Sequence, residues 1–304
     1  MNPTRTKLLA LVGPTASGKT QTSLKLAVRC NAEIVCLDSL LVYRGFDIGT
    51  AKPTPAEQAE IQHHVLDVVD PVQEFCAYDY CENATRAIAT ILTRQKQVLL
   101  VGGTGFYLKA LEYGMVGAKT VPTAVRQELT AAVQHPVQRA ALYEELQQKD
   151  PAMAKKIPIQ DTYRLVRALE VLRYTGKPYS SYLEKHAPQS PWDIVKVSVV
   201  YEASALKERI QQRTQDMLKL GFVDEVERLA QRWPNQAKPF QSVGYAQILS
   251  YLHGELPRHA LEEKINAATW QLARRQRTWF KQVPGITYLD PIESSETFLT
   301  FGHS

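Results

Sequence analysis

The sequence predicts an α/β protein, in which a doubly wound parallel sheet carries a phosphate-binding loop (P-loop) and a helical insertion domain. Apolar runs typical of buried parallel strands recur along the chain. Two of these runs end in glycine-rich turns that lead into helical patterns. Residues 118–185 show helical patterns and no such run. We therefore predict a core of residues 1–117 and 186–304, and an insertion domain of residues 118–185.

The first predicted strand, Lys7–Val12, leads into a loop that matches the phosphate-binding pattern G-x-x-x-x-G-K-[ST]. In such a loop, the backbone N–H groups and the start of the next helix bind phosphate oxygens. Lys19 would neutralise the phosphates and the Thr20 hydroxyl would hold Mg²⁺. We predict a ligand with two or more phosphates; a turn that binds nothing is the alternative. The loop residues are Gly13, Pro14, Thr15, Ala16, Ser17, Gly18, Lys19 and Thr20.

The second predicted strand, Ala32–Leu37, ends at Asp38 and Ser39. The carboxyl ends of parallel strands form the edge where open α/β sheets bind ligands, which places Asp38 beside the loop. Asp38 would be a general base or a magnesium ligand, and a helix cap or turn is the alternative. Residues 38–53 are expected to form an ordered loop against the sheet.

The third predicted strand, Val98–Val101, precedes a second glycine-rich turn, in which Thr104 falls on the same edge. Its alternative role is a helix cap. His63–Pro71 reads as a short strand that ends in a turn. Its adjacent histidines would point to opposite faces, which favours a structural or ligand-orienting role over a metal site.

The insertion and the C-terminal half are predicted to be mainly helical. One apolar, β-rich run, Ile194–Tyr201, returns the chain to the sheet, and the helix after it carries Arg209 and Arg213. The helices are predicted over residues 126–133, 137–148, 160–174, 203–219, 222–231, 245–252 and 258–281.

Composition is that of an ordinary globular chain, with 44% hydrophobic and 22% charged residues. The net charge of +5 comes from a basic surplus between Gln160 and Lys281, which suits a polyanionic partner or a mixed solvated surface. No secretory signal or membrane-spanning run is visible. We expect a cytoplasmic monomer with no membrane partner and with its four cysteines reduced.

Several further motifs, in order, make the chain closely resemble the bacterial-type tRNA dimethylallyltransferases. The most specific is the run from Asp47 to Pro53, Asp-Ile-Gly-Thr-Ala-Lys-Pro. The others are Val42-Tyr43-Arg44-Gly45, His63-His64, Gly102-Gly103-Thr104-Gly105, Arg164 with Arg167-Ala168-Leu169-Glu170-Val171, Thr175-Gly176-Lys177-Pro178, Val243-Gly244-Tyr245 and Gln271-Leu272-Ala273.

The resemblance implies transfer of a dimethylallyl group from dimethylallyl diphosphate to N6 of adenosine 37 in tRNAs that read codons starting with U. The loop, Lys19, Arg213 and Mg²⁺ near Thr20 would hold the diphosphate. Asp38 would orient and deprotonate the adenine amine, and Thr104 would line the channel. The resemblance also implies contacts with the anticodon stem-loop from Asp38, Ser39, Leu40, Leu41, Thr104, Arg126, Tyr163, Arg164, Arg167, Gln241, Gly244 and Tyr245.

Three departures from the family pattern affect possible RNA contacts. Gln160-Asp161-Thr162-Tyr163-Arg164 stands where Asn-Asp-Pro-Gln-Arg is common, and Ala246 and Trp270 stand where arginines are usual. Other readings remain open at this stage. They are a P-loop kinase of a small metabolite, an adenylate isopentenyltransferase that makes a free cytokinin, and a phosphate-gated RNA-binding module without catalysis.

Overall fold

The computed structural model describes residues 5–114, 121–182 and 190–289. The chain divides into two compact units, one made of Met1–Glu112 and Pro191–Ser304, and the other of Tyr113–Ser190. The predicted domain boundaries, at 117/118 and 185/186, lie outside the described residues.

The strands of the first unit are β1 Thr6–Val12, β2 Ala32–Cys36, β3 His63–His64, β4 Gln97–Gly102, β5 Trp192–Val199 and β6 Ile286–Leu289. Within the described residues these six strands form one parallel sheet in the order β3-β2-β4-β1-β5-β6. The strand order extends from β1 in both directions, with β4, β2 and β3 on one side and β5 and β6 on the other, so the sheet is doubly wound. The predicted fold class is confirmed.

Helices occupy most of the connections. They are α1 Lys19–Arg29, α2 Pro55–Glu60, α3 Ala77–Thr93, α4 Gly105–Tyr113, α5 Thr123–Ala132, α6 Pro136–Lys149, α7 Pro151–Ala154, α8 Thr162–Thr175, α9 Ala203–Lys219, α10 Phe222–Arg232, α11 Tyr245–Leu252 and α12 Arg258–Lys281. Two short 3₁₀ helices, Tyr179–Tyr182 and Lys238–Gln241, supplement them. No helix of the described ranges is long and apolar enough to cross a membrane.

The core of the first unit lies between the sheet and its helices. Leu11, Ile34, Leu99 and Val197, one from each of four adjacent strands, belong to one buried cluster. All five residues of β2 are buried, because this strand lies inside the sheet and both of its faces are covered.

The second unit has a core of its own, built by α5, α6, α7 and α8. Leu129, Leu146 and Leu165 are at most 1% exposed within it. Asp150, also buried, accepts hydrogen bonds from the N–H groups of Met153 at 3.1 Å and Ser180 at 2.8 Å. This carboxylate therefore caps α7 and holds the Tyr179–Tyr182 segment.

The sequence reading missed α2, α7 and β6, and it made β3 too long. α2 begins with a capping box between Thr54 and Glu57 but buries no residue, so it has no apolar stripe to detect. The β3 histidines have separate partners. His63 Nδ1 lies 2.7 Å from the Ile61 carbonyl, and His64 Nε2 lies 2.6 Å from a Glu33 carboxylate oxygen.

Candidate active site

The glycine-rich loop occupies residues 13–18, between the end of β1 and the start of α1. Gly13 and Gly18 have φ angles of +146° and +78°, where a residue with a Cβ would be strained. Ser17 Oγ donates to the Pro14 carbonyl at 2.8 Å, which ties the loop to itself. The N–H groups in the first turn of a helix point along its axis, so the start of α1, with its positive dipole end, favours an anion at this loop.

Lys19 places its ammonium against this loop. Its Nζ donates to the Pro14 carbonyl at 2.5 Å and to Ser17 Oγ at 3.3 Å. Burial lowers the pKa of Lys19 to about 7, the charge of Arg213 acts in the same direction, and Asp38 opposes them. A bound anion would favour the charged ammonium, so Lys19 is suited to take up a proton as phosphate binds.

Asp38 follows β2 at the carboxyl edge of the sheet. Its Oδ1 accepts a hydrogen bond from the Leu40 N–H at 2.8 Å. Burial raises the pKa of Asp38, against the lowering by this hydrogen bond and by the charges of Lys19 and Arg213. A carboxylate with a raised pKa is a stronger base than an exposed one, which suits proton abstraction.

Thr104 lies in the turn between β4 and α4 and is tied to the end of β2. Its Oγ1 accepts from the Ser39 N–H at 3.1 Å, and its own N–H donates to the Leu37 carbonyl at 3.1 Å. Because β2 and β4 are neighbours in the sheet, their carboxyl ends bring Asp38, Ser39 and Thr104 to one place.

Two arginines of α9 approach the same region. Burial lowers the pKa of Arg213, while the nearby negative charge of Asp38 raises it. Arg209, four residues earlier, donates from Nε to the Ala16 carbonyl at 2.8 Å and lies over the Tyr201 ring at 4.7 Å. Arg213 thus lies close enough to Asp38 and Lys19 for their charges to interact, whereas Arg209 contacts the loop.

The Thr20 side chain is exposed in the first turn of α1. Among the described residues no cluster of three or more His, Cys, Asp and Glu side chains could hold a metal ion. A cation at this loop would therefore depend on oxygens of a bound phosphate ligand as well as on the protein.

The family-specific run that begins at Asp47 is anchored by Glu225 of α10. The buried carboxylate accepts from the N–H groups of Asp47 at 3.3 Å, Ile48 at 2.7 Å and Gly49 at 3.4 Å. It also accepts from the Tyr245 hydroxyl at 2.6 Å. Glu225 was not singled out from the sequence, because one glutamate in an amphipathic helix gives no signal of its partners.

Tyr245 was expected to contact tRNA, but the structure places it in the core. It is 0% exposed and packs against the rings of Phe46 and Phe222. Because the side chain is buried and its hydroxyl is bound to Glu225, it is not accessible to RNA. We assign Tyr245 instead to holding the loop.

The other predicted contacts near α11 are at the surface or at a turn. Gln241 is exposed and donates from Nε2 to the Asn235 carbonyl at 3.0 Å. Gly244 precedes α11 with a φ angle of +91°, and its N–H is capped by Gln247 Oε1 at 2.7 Å.

Within the insertion unit, the predicted residues divide into two groups. Tyr163 is 82% exposed and the Arg164 side chain 64% exposed, at the start of α8. Arg126 and Arg167 both bind the buried carboxylate of Glu170, with Arg126 Nε at 2.8 Å from Oε2. Burial by itself would raise the pKa of Glu170, but the hydrogen bonds from Arg126 and Arg167 hold this pKa below its ordinary value.

Gln276 of α12 is a further site residue that the sequence reading missed. It accepts a hydrogen bond from the Thr15 N–H of the loop at 2.8 Å through Oε1. Its Nε2 donates to the Gly103 carbonyl at 3.1 Å. In the sequence this residue stands among the arginines at positions 274, 275 and 277, and a single glutamine there gives no signal of its partners.

A family model described as IPP transferase matches residues 41–283. Curated relatives include the tRNA dimethylallyltransferases of Geobacter sulfurreducens and Neisseria meningitidis. The first is 39% identical over 288 residues, which are 94% of this chain and 92% of the relative. The second is 41% identical over 290 residues, which are 94% of this chain and 92% of the relative.

Two solved structures are similar over almost all of the chain. The tRNA isopentenylpyrophosphate transferase of Bacillus halodurans is 34% identical, has a TM-score of 0.71 and matches 97% of this chain and 96% of its own. A eukaryotic dimethylallyltransferase acting on tRNA is 27% identical, has a TM-score of 0.84 and matches 97% of this chain and 78% of its own.

Proposed function

The chain belongs to the IPP transferase family and is a prenyltransferase that acts on tRNA, and from this premise we propose its substrates and mechanism. It transfers the dimethylallyl group of dimethylallyl diphosphate to N6 of adenosine 37, next to the anticodon of tRNAs that read codons starting with U. The observation that carries this proposal is the place of Asp38 at the carboxyl edge of the sheet, where its Oδ1 is held by the Leu40 N–H and the neighbouring Ser39 N–H is held by Thr104 Oγ1. There it lies close enough to Lys19 of the loop for their charges to interact.

The loop side of the site would hold the diphosphate. Lys19 and Arg213 are cations close enough to affect one another's charge, and the backbone N–H groups of the loop add donors. These groups stabilise the negative charge that grows on the diphosphate as its bond to the allylic carbon breaks. Because that carbon can bear positive charge, no covalent enzyme nucleophile is needed.

The acceptor side would hold the adenine amine. N6 attacks the allylic carbon, a C–N bond forms, the C–O bond to diphosphate breaks, and the N6 proton passes to Asp38. Thr104, tied to Ser39, would line the passage between the two substrates. The adenine has to leave its stack to enter, as bases do in other enzymes that modify them.

Magnesium fits the residues present at the loop. Mg²⁺ is commonly held by one or two protein oxygens together with substrate phosphates, so an all-protein cluster is not required. Thr20, exposed in the first turn of α1, offers such an oxygen. When bound, Mg²⁺ would supply further neutralisation of the leaving diphosphate.

Two exposed residues of α8, Tyr163 and Arg164, are the best placed of the predicted insertion residues to contact the anticodon stem-loop. A tyrosine ring can stack on an unpaired base and an arginine can bind a phosphate. Arg126 and Arg167 are each engaged by Glu170, so they would contribute mainly by shaping this surface.

The test is an incubation of the pure protein with Mg²⁺, unmodified tRNA and radiolabelled dimethylallyl diphosphate. We expect label on tRNA, at adenosine 37, and none on a tRNA in which this base is guanosine. Label transferred only to free AMP would favour a cytokinin-forming enzyme. Phosphoryl transfer from γ-labelled ATP to a small acceptor, without prenyl transfer, would favour a kinase.

A further inference from the structure

The side-chain amide of Gln276 joins two loops that follow neighbouring strands of the sheet, since β1 pairs with β4 as far as Val12 and Gly102. One is the phosphate-binding loop, through the Thr15 N–H, and the other is the turn after β4, through the Gly103 carbonyl. The two bonds use the acceptor and the donor of a single amide, so both depend on one side chain. Gln276 comes from α12, which follows the last of these elements by more than 150 residues of chain.

The surroundings leave the amide little freedom. A Cβ added to Gly103 would lie only 2.4 Å from Gln276 Nε2 and 3.2 Å from the Gly13 carbonyl. The Gly103 position is therefore filled from one side by the Gln276 amide and from the other by the loop. The half-buried Gln276 is held by packing as well as by its two hydrogen bonds.

The turn that Gln276 holds is connected to the proposed base. Thr104 directly follows Gly103, and its Oγ1 accepts from the Ser39 N–H, which is adjacent to Asp38. A chain of direct contacts thus runs from the Thr15 N–H through Gln276, Gly103 and Thr104 to the end of β2.

We propose that Gln276 is a positioning residue, which sets the distance between the loop that holds the diphosphate and the turn that holds the acceptor side. This inference rests on the proposed function, since it takes the loop as the donor site and Asp38 as the base. It predicts an effect on turnover rather than on the affinity for either substrate, because misaligned reactants bind but react slowly.

Gln276→Met tests this, since methionine has a similar length and neither hydrogen bond. We expect kcat to fall at least about tenfold, with the KM of each substrate within about twofold of the original value. Gln282→Met, an exposed glutamine just after α12, is the matched control and should leave both constants unchanged. An unchanged kcat in Gln276→Met would overturn the proposal.

Two further variants separate positioning from a loss of folding. Gln276→Glu keeps an acceptor for Thr15 but adds a negative charge beside the loop, so its KM for dimethylallyl diphosphate should rise several-fold. Thr104→Val combined with Gln276→Met should lose less than the product of the two single losses in kcat, because both act on one turn. Strictly multiplicative losses in kcat would contradict the proposal. A fall in kcat that only matches the fall in the folded fraction, measured by circular dichroism, would contradict it as well.

Failure of the inference is distinguishable from failure of the proposed function. If the unaltered protein modifies tRNA and Gln276→Met does so equally well, only the positioning role is wrong. If the unaltered protein transfers no prenyl group to tRNA, the proposed function is wrong, and the positioning role falls with it.

Discussion

Asp38 combines, in one residue, a sheet-edge position and a raised pKa. Burial raises the pKa of Asp38, while the hydrogen bond from the Leu40 N–H and the charges of Lys19 and Arg213 act to lower it. Its Oδ1 is held by the Leu40 N–H at 2.8 Å, which fixes the orientation of the carboxylate.

Asp38→Ala should lower kcat about 10²–10⁴-fold, the usual contribution of a positioned general base. The affinity for tRNA should change little, because only one of many contacts is lost. Single-turnover transfer of label and filter binding of tRNA measure the two effects separately. Asp193→Ala, at an exposed acid near the start of β5, is the control. Normal chemistry with lost tRNA binding would reverse the role of Asp38.

Lys19 should make donor binding depend on pH. Its pKa is lowered to about 7, chiefly by burial, so the ammonium of the free enzyme is lost as pH rises through this value. The complex retains the proton to higher pH, since diphosphate favours the charged form. The Kd for diphosphate, measured by calorimetry, should therefore rise between pH 6.5 and pH 8.5, by up to about tenfold per pH unit. The Lys19→Met protein should bind diphosphate weakly, and its Kd should change less with pH. If the Kd changes equally with pH in both proteins, Lys19 is not the cause of the pH dependence.

At the scale of elements, the loop that begins at Asp47 depends on a helix distant in sequence. Glu225 gathers three loop N–H groups and the Tyr245 hydroxyl, so α10 and α11 together fix a segment that has no regular hydrogen-bond ladder. Lys52 adds a second anchor, donating to the Tyr43 carbonyl at 3.0 Å and to Asp47 and Asp67.

Glu225→Gln should lower the free energy of unfolding by roughly 1–3 kcal/mol, because the amide group turns a donor toward buried donors. Tyr245→Phe removes a single hydrogen bond and should cost about 0.5–1.5 kcal/mol. Thermal denaturation measures both, with the exposed Glu227→Gln on the same helix as control. A Glu225→Gln protein as stable as this control would show that the loop is held by other contacts.

At the scale of the whole molecule, the net charge of +5 favours a polyanionic partner. The arginines of α8 differ in their exposure and in how tightly a carboxylate already binds them. Arg173 of α8 is bound to Glu145 at 2.6 Å and lies near Glu128, whereas Arg164 of the same helix is 64% exposed beside Asp161. Exposure therefore favours Arg164 over Arg173 for the proposed tRNA contact.

Arg164→Ala should weaken tRNA binding and reduce the slope of log K against log salt by about 1, as expected for one lost phosphate contact. Arg173→Ala removes the same charge from the same helix and should leave the slope nearly unchanged. Filter binding between 50 and 200 mM salt, roughly the range over which such contacts are resolved, is the measurement. Equal slopes in Arg164→Ala and the original protein would exclude this contact.

The sequence by itself determined the fold class and the elements that surround the site. Strong local signals were enough for this: buried apolar runs predicted β1, β2, β4 and β5, and the P-loop pattern located residues 13–20 between a strand and a helix. Because parallel strands align their carboxyl ends, the sequence also predicted that Asp38 and Thr104 lie at one edge, as the contact through Ser39 confirms.

Only the tertiary structure decided which side chains serve the site and which serve the core. It placed Tyr245 in the interior and brought Gln276 and Glu225 to loops far away in the chain. The physical reason is that burial and hydrogen-bond partners depend on packing between distant segments. Residue type and local spacing do not reveal such packing. A tyrosine in a recognisable motif has the same sequence pattern whether it lies in the core or at the surface.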